Sequence, residues 1–325
     1  MTAQNTHDLQ REAPEVRRLD ITGVEHVDVR DLERSISTER SKCRSLVLEP
    51  FCLLSHSGTF QDRHYFDDNE FRRDVLRIRL YYWKRGFREA EVDTAVTPIG
   101  PRQVHVTFNV HENRPTLIRK IAISYDSTLI SGKVRDRLTL LRANDALDLI
   151  VLDSMRVLFQ NELWDRGYGD AVVDTSVVVD TVTYLADVGL RLTPNRRTTV
   201  GRVTVTGARR IDVATIRNSI TFRQGDLYRL SDVLESQRNL YESNLFRLAA
   251  IDVPPQYDSV KNVNIDVTEA PLHEARLGPG ITNIDFLQFQ AQYTNYNLFG
   301  GARRLDVDGS IGNLFASSLQ GRGTF

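Results

Sequence analysis

Cys43, Cys52, His56 and His64 are the first residues whose types could do chemistry together. Thiolates and imidazoles ligate zinc, and four of them make a tetrahedral set. Their spacing, C-x8-C-x3-H-x7-H, is not one of the compact spacings of zinc modules. The competing readings are two free thiols or a Cys43–Cys52 disulfide formed in an oxidising compartment. The disulfide is the favoured expectation. The remaining candidates are weaker. His26, His105, His111 and His273 are scattered, and none has a serine or cysteine at a motif spacing, so no catalytic triad is read. Gly278-Pro-Gly280 lacks the G-x-x-x-x-G-K pattern, and Pro279 removes an amide donor, so it is no phosphate loop. No enzyme, cofactor or metal is expected.

Composition narrows the class further. The 325 residues suggest two to four domains. Apolar content of 41% and charged content of 26% are ordinary for globular protein. The net charge of −1 excludes a global field for nucleic acid or an anionic membrane surface. Arginine pairs such as Arg72-Arg73, Arg196-Arg197 and Arg209-Arg210 read as solvated faces, and no nucleic-acid partner is expected. No run approaches the roughly 18 apolar residues of a membrane helix.

The elements that must position any site come from a repeat. Three anchors recur: Tyr81-Tyr-Trp-Lys-Arg-Gly-Phe87, Leu163-Trp-Asp-Arg-Gly-Tyr168 and Leu240-Tyr-Glu-Ser-Asn-Leu-Phe246. Gly86, Gly167 and Asn244 are 81 and 77 residues apart, and Pro115, Pro194 and Pro271 follow them by 29, 27 and 27. Each anchor closes a predicted helix. Phe71, Val75, Ile78 and Tyr82 share one helical face, as do Leu152, Met155, Phe159 and Leu163. Val233, Leu234, Leu240 and Tyr241 form the third, with Ser231 as its expected N-cap. Asp67-x-x-Glu70 reads as a variant capping box for the first. Gly86, Gly167 and Asn244 then supply the left-handed residue that stops each helix.

A strand and a shorter helix precede each long helix, and two period-2 segments follow it. The strands are Val16–Thr22, Leu117–Ser124 and Thr199–Thr206. The short helices are Val29–Ser37, Gly132–Leu141 and Asp212–Ile220, the last with Val213, Ile216 and Ile220 on one face. The following segments are Ala90–Thr97 with Gln103–His111, Ala171–Val179 with Val182–Leu192, and Arg247–Val253 with Asn262–Thr268. The predicted fold class is therefore α+β, with three β-α-α-β-β repeats. Beyond Thr268-Glu-Ala-Pro271 the pattern changes. Leu287, Phe289, Ala291 and Tyr293 alternate with Gln288, Gln290, Gln292 and Thr294, and Leu305, Val307, Gly309 and Ile311 alternate with polar or small residues. Strands with one apolar face and one face of amides and carboxylates suit a boundary between lipid and a water-filled lumen.

The repeat order, the anchors Trp83–Phe87, Trp164–Tyr168 and Tyr241–Phe246, and the turn Asn297-Leu-Phe-Gly-Gly301 after Leu277-Gly-Pro-Gly280 together resemble POTRA domains leading into a barrel of the BamA/TamA type. The resemblance spans roughly Val16 to Phe325. It implies POTRA units at 16–115 (with an insertion at 43–64), 116–197 and 198–271, and the start of an outer-membrane β-barrel at 272–325. Asn244 departs from the glycine of the other anchors. Only about three strands fit after Glu274, where a closed membrane barrel needs at least about eight. The stretch Met1 to Asp20 has no apolar leader core. Both ends are therefore expected to be incomplete.

The resemblance implies a non-enzymatic outer-membrane assembly factor with its POTRA units in the periplasm. Its implied partners are unfolded outer-membrane precursors, the outer-membrane bilayer, and periplasmic or lipoprotein accessory subunits. A two-partner-secretion-type transporter and a soluble periplasmic scaffold are the alternatives. If the first strand of each unit lies beside the last, the middle strand is left on an edge, where an extended chain can add. The candidate edges are Val92, Asp93, Thr94, Ala95 and Val96 in the first unit, Val172, Val173 and Val177 in the second, and Leu248, Ile251 and Val253 in the third. Their bland reading is ordinary edges kept soluble by charges such as Asp93 and Asp174.

A Cys43–Cys52 staple would contribute about 2–3 kcal/mol if unstrained. Peptide mapping of periplasmic material without reduction should recover the two residues as one linked species; two free thiols would exclude the staple.

Overall fold

The computed structural model describes residues 13–43, 61–254, 259–282 and 286–312. In the first repeat β1 (Glu15–Thr22) leads to the short helix α1 (Val29–Glu33). A two-residue pair, β2 (Lys42–Cys43) and β3 (Gln61–Asp62), flanks the insertion. The long helix α2 (Asp68–Lys84) and the strands β4 (Glu91–Gly100) and β5 (Gln103–His111) complete the unit. β5 is central: β1 runs parallel to it on one side and β4 antiparallel on the other.

Helix α2 forms because its ends are capped and one face is apolar. Asp67 accepts from the N–H groups of Asn69 and Glu70. The expected box is not reciprocal, because the Glu70 carboxylate accepts from Arg73 and Arg77 instead. Phe71, Ile78 and Tyr82 are buried against Val104, Val106, Phe108 and Val110 of β5, with Val75 partly buried beside them. Each fully buried side chain of this size contributes roughly 1.5–3 kcal/mol. Asp74, fully buried on the same face, accepts from the N–H groups of Ser37 and Thr38 and so pins the segment after α1. Gly86 then takes φ +97° and ends the helix.

The second repeat follows the same order. It contains β6 (Leu117–Ser124), α3 (Gly132–Leu138), α4 (Leu149–Asp165), β7 (Val172–Asp180) and β8 (Leu185–Thr193), with β8 between β6 and β7. Leu152, Met155, Phe159 and Leu163 are all buried, as their spacing predicts. Gly167 takes φ +89° at the helix stop.

The third repeat contains β9 (Thr199–Thr206), α5 (Val213–Ser219), α6 (Leu230–Glu242), β10 (Phe246–Asp252) and β11 (Val260–Glu269), with β11 central. Asn244 takes φ +57°, doing the work of the missing glycine. Two details differ from expectation. Ser231 is not the N-cap: α6 starts two residues earlier than that cap would place it, Arg229 occupies the cap position without a side-chain bond, and the Ser231 N–H donates to Asp165 of the preceding repeat at 2.7 Å. Leu234 and Tyr241 are exposed, whereas Val233 and Leu240 are buried; Val213 of α5 is likewise exposed and only Ile216 is buried on its helix. A short helix over a three-stranded sheet covers too narrow a stripe to bury four residues per turn pair.

The chain forms two compact units, Met1–Val157 with Asp174–Arg191, and Leu158–Val173 with Leu192–Phe325, so the division falls inside the second repeat. Each unit contains one junction between successive repeats, built alike. The Gly86 carbonyl accepts the Thr116 N–H, and the Gly167 carbonyl accepts the Thr198 N–H, both at 2.8 Å. A Cβ at Gly86 would lie 2.9 Å from the Leu147 nitrogen, and one at Gly167 would lie 2.6 Å from Leu227 Cδ1. Positive φ and close approach thus both require glycine at these two positions. The second junction adds an ion pair: Lys261 Nζ meets Asp170 Oδ1 at 2.5 Å, with side-chain exposures of 5% and 15%.

A carboxylate also fastens each outer repeat at the end of its central strand. Glu112 accepts from the N–H groups of Glu25 and His26, from the His26 ring and from the Tyr82 hydroxyl. Desolvation pushes the Glu112 carboxyl up, but these donors outweigh it and hold it below the usual range. Burial and the same contact push the Tyr82 hydroxyl up. Glu269 receives the N–H groups of Arg209, Arg210 and Ile211 together with the Arg210 guanidinium. Desolvation opposes ionisation there too, yet the donors prevail and hold Glu269 at about 2.

Two measurements check these contacts. The folded Glu269 carboxyl lies below its ordinary 4.5, so its stabilisation is full above about pH 4.5 and is lost as pH falls from there toward 2. Glu269→Gln should lower the urea midpoint at pH 7 by the equivalent of roughly 1.5–3 kcal/mol and flatten its acid dependence. Asp170→Ala removes a charged hydrogen-bond partner from the buried Lys261 ammonium and should cost about 1.5–3 kcal/mol, whereas Asp170→Ala with Lys261→Met should cost clearly less.

Candidate functional site

The three repeats leave the same element unpaired. In each sheet the last strand is central and the middle strand, β4, β7 or β10, lies at an edge. No other strand pairs with the outer side of these three among the described residues. Such an edge presents a row of N–H and C=O groups that an extended chain can complete.

The first strands β1, β6 and β9 are edges as well, which the sequence reading did not weigh. Their beginnings are closed by the segment that enters the long helix. Val16 donates to the His64 carbonyl and accepts from Ser41. Ile118 does the same with Asp145 and Asn144, and Val200 with Asp226 and Gly225. A repeated local bridge therefore closes the start of one edge of each sheet, while the middle strand's edge has no such bridge among the described residues.

The candidate residues divide between surface and core. On β4, Asp93, Thr94, Ala95 and Val96 are exposed, and Val92 is half-buried against the first core. Asp93 pairs with the His111 ring at 3.1 Å across the hairpin. On β7, Val172 is exposed, Val177 is half-buried and Val173 is buried. On β10, Leu248 is exposed and Ile251 packs against the third core. Val253 lies one residue beyond the strand end and packs against that core too. Val173, Ile251 and Val253 thus hold the edge in place, and the side chains open to an incoming strand are Thr94, Val96, Val172 and Leu248. Cys43, the other candidate, ends β2 in a disulfide, whereas Cys52 lies outside the described residues.

A second recurrence sits on the long helices. Leu76, Val157 and Leu234 lie ten residues before Gly86, Gly167 and Asn244, and all three are exposed. Trp83, Trp164 and Tyr241 lie three residues before them, two turns along the same face. Trp83 and Tyr241 are about two-fifths exposed, and the Trp164 indole donates to the Ala171 carbonyl at the start of β7. Trp164 also packs against the third core, so the second repeat uses this position at its junction with the third. The signal was present in the sequence, since both positions hold fixed offsets from the helix stop.

Beyond the third repeat, β12 (His273–Thr282), β13 (Phe286–Asn295) and β14 (Leu305–Ile311) form an antiparallel sheet in that order. The register aligns Leu277 with Ala291 and Gly309, and Tyr293 with Val307. One face is therefore apolar throughout, and Leu277, Phe289, Tyr293, Val307 and Ile311 on it are 41–81% exposed. The other face is tied by polar bonds, including Thr294 to Asp306 at 2.7 Å and Tyr296 to Glu274 at 2.7 Å. An exposed apolar surface of this extent marks a contact face.

No metal-holding group of three or more acidic, histidine or cysteine side chains occurs among the described residues. No helix among them is long and apolar enough to cross a membrane, which leaves open crossing by strands.

Comparison with known proteins agrees with this architecture. The POTRA family model, described as surface antigen variable number repeat, matches residues 14–113 and 198–270, just over half of the chain. An outer membrane protein assembly factor BamA of Neorickettsia risticii is 22% identical over 244 residues, 69% of this chain and 32% of that protein. A Treponema pallidum protein described as an outer membrane protein assembly factor is 18% identical over 280 residues, 80% of this chain and 32% of that protein. The chain thus spans about a third of the length of these curated relatives. Among solved structures, POTRA3-5 of Haemophilus influenzae BamA superposes with a TM-score of 0.53 at 20% identity, covering 79% of this chain and 97% of that one. With matches in the first and third repeats and the same strand order in all three, the chain belongs to the POTRA family of surface antigen repeats.

Proposed function

We propose that this chain is the POTRA-bearing part of an outer-membrane protein assembly factor, with modules at 16–115, 116–197 and 198–271 in the periplasm and residues 272–325 beginning a membrane β-barrel. The modules receive unfolded outer-membrane precursors by strand addition and pass them toward the barrel. The observation that carries this reading is the open outer edge of β4, β7 and β10, found at the same place in every repeat. Main-chain hydrogen bonding gives affinity with little sequence demand, which suits a module that handles many clients. The exposed edge side chains Thr94, Val96, Val172 and Leu248 offer contacts for alternate side chains of an added strand. The apolar face of β12–β14 supports the membrane role, because a face of this kind is stable against hydrocarbon and unfavourable in water. No chemistry is required of any residue.

The relatives named for outer-membrane assembly motivate the client class. Accessory periplasmic or lipoprotein subunits are the remaining partners of this reading. A photo-crosslinking residue at Thr94, Val172 or Leu248 should label an unfolded barrel precursor strongly. The same residue at Arg72 or Asp153, on exposed helix faces, should label it weakly. Equal yields at edges and helices would exclude strand addition.

A further inference from the structure

Each repeat carries a groove between its first strand, its first helix and the loop that enters the long helix, and each groove is rich in arginine. In the first two repeats carboxylates line the groove and most of those charges are paired, with Arg40 and Arg142 the exceptions among the described residues. Arg34 pairs with Asp31 at 2.9 Å, Arg30 with Asp28 at 3.8 Å and Lys42 with Glu39 at 3.5 Å. In the second repeat Arg119 and Lys120 both pair with Asp187, and Arg135 pairs with Asp136. The third groove differs. Arg202 on β9, Arg217 on α5 and Arg223 in the loop line it, no carboxylate lines it, and none of the three guanidinium groups has an ion-pair partner among the described residues. Asp226 is nearby in sequence but accepts the Arg223 backbone N–H within the loop. Half-buried Val203 and Ile220, backed by the buried Phe222, form an apolar wall in a cavity of about 410 Å³.

Three unneutralised arginines around an apolar wall repel one another and attract carboxylates, and arginine holds a carboxylate through two parallel N–H bonds. We propose that the third groove docks an acidic extended segment of a partner protein, with carboxylates on Arg202, Arg217 and Arg223 and apolar side chains against Val203 and Ile220. The groove is the size of a pocket for a few side chains, in the range of roughly 300–1,000 Å³, so the occupant is a segment and not a folded domain. Topology favours a protein over a lipid headgroup. β9 and β11 are parallel, and β11 finishes at Glu269, next to the start of β12 at His273. The amphipathic sheet therefore joins the end of the third sheet where β9 finishes. The groove is lined by the C-terminal turn of α5 and by the loop bonded to Val200, at the end where β9 begins. The groove thus lies away from the end of β9 at which the amphipathic sheet begins. This site is independent of the open edges, because it lies across β9 from them.

The test is titration of the full chain, held in detergent, with the acetylated and amidated peptide Asp-Val-Asp-Val-Asp and with its Asn-Val-Asn-Val-Asn counterpart. The acidic peptide should bind about tenfold or more tightly than the neutral one, and its affinity should fall as salt rises. Arg217→Glu should weaken it by about tenfold, and Arg223→Glu serves the same purpose if the first variant loses its circular dichroism. Arg135→Glu, at an arginine of the second groove that is paired with Asp136, should leave binding unchanged. Equal affinity for both peptides, no saturable binding of the acidic one, or the same loss from Arg135→Glu would overturn the proposal. Arg217-dependent binding to phosphatidylglycerol vesicles without peptide binding would overturn it in favour of a lipid headgroup.

Discussion

Parallel pairing of the first and last strands is the constraint on which each repeat depends. β1 pairs with β5, β6 with β8 and β9 with β11, all parallel, although two helices and at least one strand separate the partners in sequence. Once the last strand has the first on one side and the hairpin partner on the other, its place is fixed at the centre. Its inward residues, such as Val106, Phe108 and Val110, or Val263, Ile265 and Val267, then form the floor on which the long helix lies. The middle strand has no position left except an edge. The proposed function is thus a by-product of the same pairing that builds the core.

The carboxylates at the ends of the central strands show how the outer repeats close. Glu112 and Glu269 sit where the first helix must turn back over the sheet, and each gathers backbone N–H groups from the entry to that turn. A buried acceptor with several donors is strongly directional, so it sets the turn's path where a loop of polar residues would leave it loose. The arginine pair Arg209-Arg210, which reads in sequence as a solvated face, is held to Glu269 by its backbone as well as by one guanidinium.

Much of this was legible in the sequence, and the exceptions have physical causes. Helix faces such as Leu152, Met155, Phe159 and Leu163 are set by period alone, and Gly86, Gly167 and Asn244 by the need for a left-handed residue, so both classes were readable. The strands Leu117–Ser124 and Thr199–Thr206 fall where alternation places them. Ser231 misled because its N–H is satisfied by Asp165, a carboxylate 66 residues away that no local pattern reveals. Val173 and Ile251 were assigned to an exposed edge, yet an edge strand still has an inner face, and that face belongs to the core. The closed starts of β1, β6 and β9 depend on loop bonds with no residue signature. The contrast among the three arginine grooves was hidden for a related reason: counting arginines does not show which ones have a carboxylate within reach.

The sheet β12–β14 carries one further implication. Its apolar side is open, and β14 has a partner on only one of its sides among the described residues. Greasy, flat and unfinished strands stack on copies of themselves, which is the route to fibrils and precipitates. Until hydrocarbon or further strands cover this sheet, the chain faces the hazard that its proposed clients face. Before it could shelter them, a newly made molecule would itself need sheltering.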